Sequence, residues 1–136
     1  MTNQTKAQIE KTDAQWRAQL DPEAYAVLRQ SCTERPFTGA LLKNKETGMY
    51  TCGACDAPLF RSDAKYDSGC GWPSFTQPET QENVNLIQDR THGMVRTEVR
   101  CKRCDSHLGH VFDDGPGPEG TRYCINSLSL GFQKQP

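Results

Sequence analysis

The 136-residue sequence has no apolar run approaching the roughly 18 residues that a membrane-spanning helix needs, so no membrane partner is expected. The stretch Met1 to Glu10 lacks the apolar segment of a secretory signal, and the expected location is therefore the cytoplasm. An excess of one charge is also missing. Sixteen basic side chains stand against 17 acidic ones, for a net charge of −1 and a pI near 6.3. Phosphate-backbone binding needs a concentrated surplus of Lys and Arg, so nucleic acid is not an expected partner. Core builders are scarce: Leu, Ile, Val and Phe supply 22 of the 136 residues, below the roughly one-fifth that a packed core draws on. Disorder would follow if the net charge were high and aromatics few, but the chain is almost neutral and carries 5 Phe, 4 Tyr and 2 Trp. What remains is one domain, residues 1–136, whose fold needs a fastening besides apolar burial.

Cysteine, by contrast, is plentiful. Seven cysteines in a chain expected in a reducing compartment point to metal binding or thiol chemistry rather than structural disulfides, and the odd count agrees. Cys52-Gly53-Ala54-Cys55 and Cys101-Lys102-Arg103-Cys104 are two C-x-x-C pairs, each able to present two sulfurs from a tight turn. Four thiolates from two such turns make a closed tetrahedral site, for which zinc is the default and iron the alternative. A redox dithiol would instead want a strand before the pair and a helix after it. A structural zinc site contributes on the order of 10 kcal/mol to the folding of a small domain, which supplies the missing fastening. The pairs are far apart, so the segment Lys65 to Arg90 falls in a substructure inserted between them. A closed site leaves no coordination position for substrate, and catalysis must come from other residues.

Residues 1–32 contain no Gly and read as a helical segment packed on the domain. Thr12 and Gln15 have capping-box spacing, with Trp16 and Leu20 as an i, i+4 apolar pair. Asp21-Pro22-Glu23 then starts a second helix, carrying Tyr25, Val27 and Leu28. From Arg35 onward the helical period gives way to short runs between Gly, Pro and Asn, the pattern of a β domain with long loops. The clearest predicted strand is Met94 to Cys101, with Val95, Thr97 and Val99 buried and Arg96, Glu98 and Arg100 in water. Fainter ones fall near Gly48–Thr51, Val84–Gln88, Leu108–Phe112 and Tyr123–Leu130, and His92-Gly93 is a candidate hairpin turn.

Three cysteines remain. If Arg122-Tyr123-Cys124-Ile125-Asn126 is a strand, its period of two puts Arg122, Cys124 and Asn126 on one face. A guanidinium beside a thiol favours the nucleophilic thiolate, and an amide can orient a polar substrate group. The bland alternative is a buried cysteine acting as a small hydrophobe. Cys70 sits between Gly69 and Gly71, where mobility suits a resolving thiol that closes a transient disulfide. Trp72 and Phe75 nearby could line a pocket for a methyl group or simply pack in the core. His107 and His110 would face oppositely on a regular strand, but a bulge at Gly109 would bring both to one side, where their titration range suits proton transfer. Cys32 belongs to no pattern and reads as a bystander.

The segments Gly69-Cys70-Gly71-Trp72-Pro73-Ser74-Phe75, His107-Leu108-Gly109-His110-Val111-Phe112 and Arg122-Tyr123-Cys124-Ile125-Asn126-Ser127, with both C-x-x-C pairs, resemble the zinc-containing peptide methionine-R-sulfoxide reductases from about Arg35 to Phe132. The resemblance implies a mainly β fold of two antiparallel sheets, tent-like and zinc-ribbon-like, with short N-terminal helices and zinc away from the active site. It implies that Cys124 attacks the sulfoxide sulfur, releasing methionine and leaving a sulfenic acid that Cys70 resolves as a disulfide. His107, His110, Asp114, Arg122 and Asn126 would then line the site, with Trp72 and Phe75 toward the substrate's S-methyl group. Thioredoxin is the implied reductant, oxidised methionine residues in proteins are the implied substrate, and Cys52, Cys55, Cys101 and Cys104 are the implied zinc ligands. The chain departs from the family pattern at Asp113, Leu128 and Gly131, where Pro, Ala and Arg are usual, which implies a changed rate or pH optimum rather than a changed reaction. A non-enzymatic zinc-ribbon-like binding module is the competing class, and it has no use for Cys124. A monomer is the default expectation.

Overall fold

A computed structural model describes residues 9–90 and 93–135. Two short helices come first, α1 (Asp13–Gln19) and α2 (Pro22–Gln30). The predicted capping box is present, with the Thr12 hydroxyl accepting from the Gln15 N–H and the Gln15 side chain accepting from the Thr12 N–H. Asp21 occupies the N-cap of α2 but its side chain makes no capping bond, so the proline at the helix start does the local work. Nine strands follow: β1 (Gly48–Cys52), β2 (Pro58–Arg61), β3 (Lys65–Tyr66), β4 (Ser74–Phe75), β5 (Val84–Asp89), β6 (Arg96–Cys101), β7 (His107–Phe112), β8 (Arg122–Ile125) and β9 (Leu130–Lys134). They form two antiparallel sheets, one ordered β2-β1-β9 and the other β3-β4-β8-β7-β6-β5. The architecture is mainly β, as the residues implied. Among the described residues no helix is long and apolar enough to cross a membrane.

Aromatic rings from both sheets make up for the shortage of aliphatic residues. Phe60 of β2 stacks on Phe75 of β4 with ring centres 4.3 Å apart, and Tyr50 of β1 meets Phe75 edge-on at 5.2 Å. Such pairs add to the area they bury. The sulfurs of Cys52, Cys101 and Cys104 complete the same buried cluster.

The helical segment packs on the two C-x-x-C turns. The Gln19 side-chain amide donates to the Ala54 carbonyl at 2.7 Å, inside the first C-x-x-C turn. Arg29 donates to the Cys104 carbonyl at 2.8 Å and the Ile9 N–H to the Arg103 carbonyl at 2.8 Å, both in the second.

Two sequence expectations are corrected. The alternation predicted for Met94 to Cys101 fails, because Met94 and Val95 precede the strand and are exposed while Glu98 is buried. The Glu98 carboxylate is bound by His107 and Arg100, and these bonds make its burial affordable. The strand predicted from Tyr123 to Leu130 is two strands in different sheets, separated by a 3-10 turn at Ser127–Ser129. The short strands β2, β3 and β4 carried too few residues to show a period. Of the predicted hairpin turn, Gly93 has a left-handed φ of 70°, and His92 lies outside the described residues.

Candidate active site and metal centre

Cys124 lies in β8 between two neighbours, with Ser74 of β4 opposite on one side and His110 of β7 on the other. Cys70 sits on the loop from β3 to β4, where Gly69 and Gly71 take φ values of 77° and 97° that a side chain would resist. This loop carries the Cys70 sulfur to 3.8 Å from the Cys124 sulfur, and both thiols are free. A disulfide needs about 2.0 Å between sulfurs, so a small shift of the glycine-flanked loop closes it.

The two thiols are pushed in opposite directions. Burial raises Cys70, but hydrogen bonds from the Ser68 and Ser74 hydroxyls favour its thiolate, and the net result lies below the ordinary thiol range. Burial and the neighbouring Cys70 push Cys124 up to about 12, against the pull of Arg122. Arg122 favours the Cys124 thiolate, as its position beside the thiol implied, but burial and Cys70 outweigh it. Its guanidinium is committed to the Asp114 carboxylate through two hydrogen bonds of 2.8 and 3.1 Å, which also holds Asp114 below the usual carboxylate range.

The two histidines do share one side. Strand β7 carries one extra residue, Leu108, against β6, since Arg100 faces His107 while Val99 faces Gly109. This bulge reverses the facing of the next residues and leaves the two rings 5.6 Å apart. The irregularity is thus at Leu108, and Gly109 serves a different need. A Cβ there would stand 2.0 Å from the Cys124 carbonyl oxygen, so glycine is what lets β8 approach. His107 Nδ1 lies 2.7 Å from Glu98 Oε2, and His110 Nε2 lies 2.8 Å from Asp89 Oδ2. Burial lowers the pKa of His110 and Asp89 partly restores it. His107 Nε2 is buried without a hydrogen-bond partner among the described residues.

The four remaining C-x-x-C sulfurs form one cluster. All lie within 4.8 Å of one another, with Cys52 to Cys104 at 3.7 Å and Cys55 to Cys101 at 3.6 Å. Four sulfurs at the usual zinc–sulfur bond length of about 2.3 Å would stand about 3.8 Å apart at the corners of a tetrahedron. The two turns are built alike: Asp56 and Asp105 both take φ 65°, and their N–H groups bond the Cys52 and Cys101 carbonyls, each at 2.8 Å. Donor type, spacing and burial all fit a soft dication. Cys52 ends β1 and Cys101 ends β6, so the cluster joins the two sheets. It is remote from the thiol pair along β6, because Glu98, which faces His110, is three residues from Cys101, about 10 Å of strand.

Comparison with known proteins agrees with this geometry. The SelR domain family matches residues 20–134. The peptide methionine sulfoxide reductase MsrB of Agrobacterium fabrum is 55% identical over 133 residues, 98% of each chain. Its namesake from Leptospira interrogans is 56% identical over 128 residues, 94% of this chain and 98% of its own. That of Thiobacillus denitrificans is 61% identical over 122 residues, 90% and 92% of the two chains. The chain belongs to the MsrB family. It is accordingly a peptide methionine sulfoxide reductase, an oxidoreductase.

The fold brings Cys70 to Cys124, sets His110 opposite Cys124, and pairs Arg122 with Asp114, while the His107 ring meets that of His110 edge-on. Phe75 is corrected. It is fully buried in the aromatic core between the sheets, where it is stacked on Phe60. Trp72 is half-buried, and its indole N–H donates to the Glu34 carbonyl at 3.0 Å. Asn126 is buried, its amide donating to the Leu108 carbonyl and accepting from the Glu34 N–H, both at 3.0 Å. Glu34 escaped sequence reasoning. It is 7% exposed and its Oε1 accepts from the Leu128 N–H at 2.8 Å, so one residue ties Trp72, Asn126 and the turn after β8 together. A lone acidic residue in a loop gives no periodic signal, and only the fold reveals this junction. Cys32 is exposed beyond the end of α2.

Proposed function

We propose that this chain, acting as a single domain, reduces the R epimer of methionine sulfoxide, free or within proteins, through a Cys124 sulfenic acid and a Cys70–Cys124 disulfide. The observation that carries this is the pair of free thiols, 3.8 Å apart, one of them on a glycine-flanked loop. The Cys124 sulfur attacks the sulfoxide sulfur as its proton passes to the sulfoxide oxygen; the methionine S–O bond and the transient S–S bond then break, the hydroxyl group stays on Cys124 as the sulfenic acid, and methionine leaves. The Cys70 thiolate then attacks the sulfenic sulfur, forming the disulfide and expelling hydroxide, which takes up a proton as water. A thiol kept below its ordinary range suits this second step, because the thiolate is the attacking form. His110, whose ring is held by Asp89, and His107, whose ring is held by Glu98, relay the proton to the sulfoxide oxygen in this reading.

Trp72 receives the S-methyl group, and Asn126 and the Asp114–Arg122 pair hold the walls in place. Thioredoxin returns the disulfide to two thiols, its potential near about −270 mV being low enough for a transient disulfide. Zinc on Cys52, Cys55, Cys101 and Cys104 supplies folding energy and no chemistry on substrate. A monomer in the cytoplasm completes the reading.

The deciding assay is methionine release from the separate R and S sulfoxides of a capped methionine, driven by dithiothreitol, for the native chain and Cys124→Ser. Release from R alone, abolished in a variant that still folds and holds its metal, is the expected result. Release from S, or undiminished release by Cys124→Ser, would overturn the assignment.

A further inference from the structure

The mechanism leaves one large feature unused. A cleft of about 720 Å³ opens beside Trp72, with Phe37, Tyr50 and Trp72 on its apolar side and Lys43, Lys45 and Lys65 around it. Trp72 is the side chain assigned to the S-methyl group, so the cleft and the sulfoxide site share a wall. They are close: Tyr66, Ser74 and Cys124 lie in register across β3, β4 and β8, so Tyr66 and the adjoining Lys65 are about two strand spacings, about 10 Å, from the nucleophile. Phe37 is 68% exposed and holds a left-handed φ of 67°, a conformation phenylalanine resists. Its N–H bonds to the Gly71 carbonyl at 2.7 Å, which fixes this aromatic surface against the Cys70 loop.

The charge around the cleft is unbalanced. The partly buried Lys65 ammonium donates to the neutral Leu42 carbonyl at 2.7 Å; burial lowers its pKa, and the neighbouring Lys45 adds to that despite Asp67. Among the described residues none of Lys43, Lys45 and Lys65 has a carboxylate at ion-pair distance. Of the two carboxylates in the lining, Glu46 is paired with Lys134 at 3.3 Å, and Asp67 accepts from the Gly69 N–H at 3.1 Å. An incoming carboxylate would find three ammonium groups and an apolar floor.

We propose that this cleft receives the polypeptide flanking the oxidised methionine and that Lys43, Lys45 and Lys65 select acidic residues there. The preferred substrates are then peptides carrying Asp or Glu within about three residues of the methionine sulfoxide, the number of extended residues that covers about 10 Å. The assignment rests on the reductase reading of the neighbouring thiol pair and adds a substrate class to it.

The test compares three substrates with dithiothreitol as reductant: capped methionine-R-sulfoxide, a peptide with Asp at the second and third positions on both sides of the sulfoxide, and the same peptide with Lys there. The full chain should favour the acidic peptide over the basic one by about fivefold in kcat/KM at low salt, the preference shrinking as salt screens it. In Lys43→Glu/Lys45→Glu the ratio should fall to one or invert, and in the milder Lys43→Gln/Lys45→Gln it should fall part-way. The ratio is taken within each protein, so any general loss of activity cancels. No preference in the native chain, or one unchanged in both variants, would overturn the proposal. Slowing of the thioredoxin-driven cycle alone, with peptide ratios unchanged, would give the cleft to the reductant and equally overturn it. Failure to reduce even the capped amino acid would mark failure of the reductase reading itself.

Discussion

At the scale of single residues, proton placement decides the chemistry. Cys70 lies below the ordinary thiol range and Cys124 at about 12, so near neutral pH an alkylating reagent should modify Cys70 first and Cys124 only in strong alkali. Peptide mapping after timed iodoacetamide exposure checks the order, and faster labelling of Cys124 would overturn it. The Arg122 guanidinium beside Cys124 is shared with the Asp114 carboxylate, which offsets its charge. Asp114→Asn should release that charge and bring the Cys124 pKa down, measured from thiolate absorbance against pH. His110 titrates below its unfolded value, so the unfolded chain binds more protons through that window and the native state loses stability as pH falls from about 6.5. Asp89→Asn removes the carboxylate that partly restores the His110 pKa. An NMR titration of the ring should show the pKa moving further down and the destabilising window widening. The thiols and histidines were legible as residue types, but no sequence feature said that burial would outweigh Arg122 at Cys124.

Strands and turns decide where those side chains point. The extra residue at Leu108 turns two histidines to one side, and Gly109 lets β8 come close enough to set Cys124 against His110. Gly109→Ala would place a methyl group against the Cys124 carbonyl and Ile125 Cα, forcing β8 outward. We expect a stability loss of about 1–3 kcal/mol in denaturant titration, with methionine release falling further than the folded fraction explains. The helices were legible from the Thr12–Gln15 spacing and from Pro22, because capping is a local interaction. What they hold was not. Arg29 of α2 reaches both the Cys104 carbonyl and the Ser106 hydroxyl and lies over the Trp16 ring at 4.6 Å. Those partners are up to 77 positions away in the chain, and no local pattern announces them.

For the whole molecule the four-cysteine cluster is the central element. It ties the end of β1 in one sheet to the end of β6 in the other, in a chain poor in aliphatic residues. Zinc binding on the order of 10 kcal/mol is comparable to the entire stability of a domain, about 5–15 kcal/mol. Cys101→Ser, or removal of the metal by a strong chelator, should therefore unfold the chain or lower its melting temperature steeply. Thermal melts followed by near-ultraviolet circular dichroism, beside metal analysis, check this. An unchanged melting temperature would remove the metal from the folding account.

The four cysteines that cluster, the separate thiols and the family were legible in the sequence alone, because fixed spacings within a few residues are preserved whatever the chain does elsewhere. The sequence also determined the mainly β class, through short runs punctuated by Gly, Pro and Asn. That Phe75 belongs to the core, that Glu98 is buried while Val95 is not, and that the Tyr123–Leu130 stretch serves two sheets emerged with the folded chain. Each of these depends on which distant segment lies opposite. Burial and hydrogen bonding are properties of pairs, and the pairs form only when β6 meets β7 and β4 meets β8.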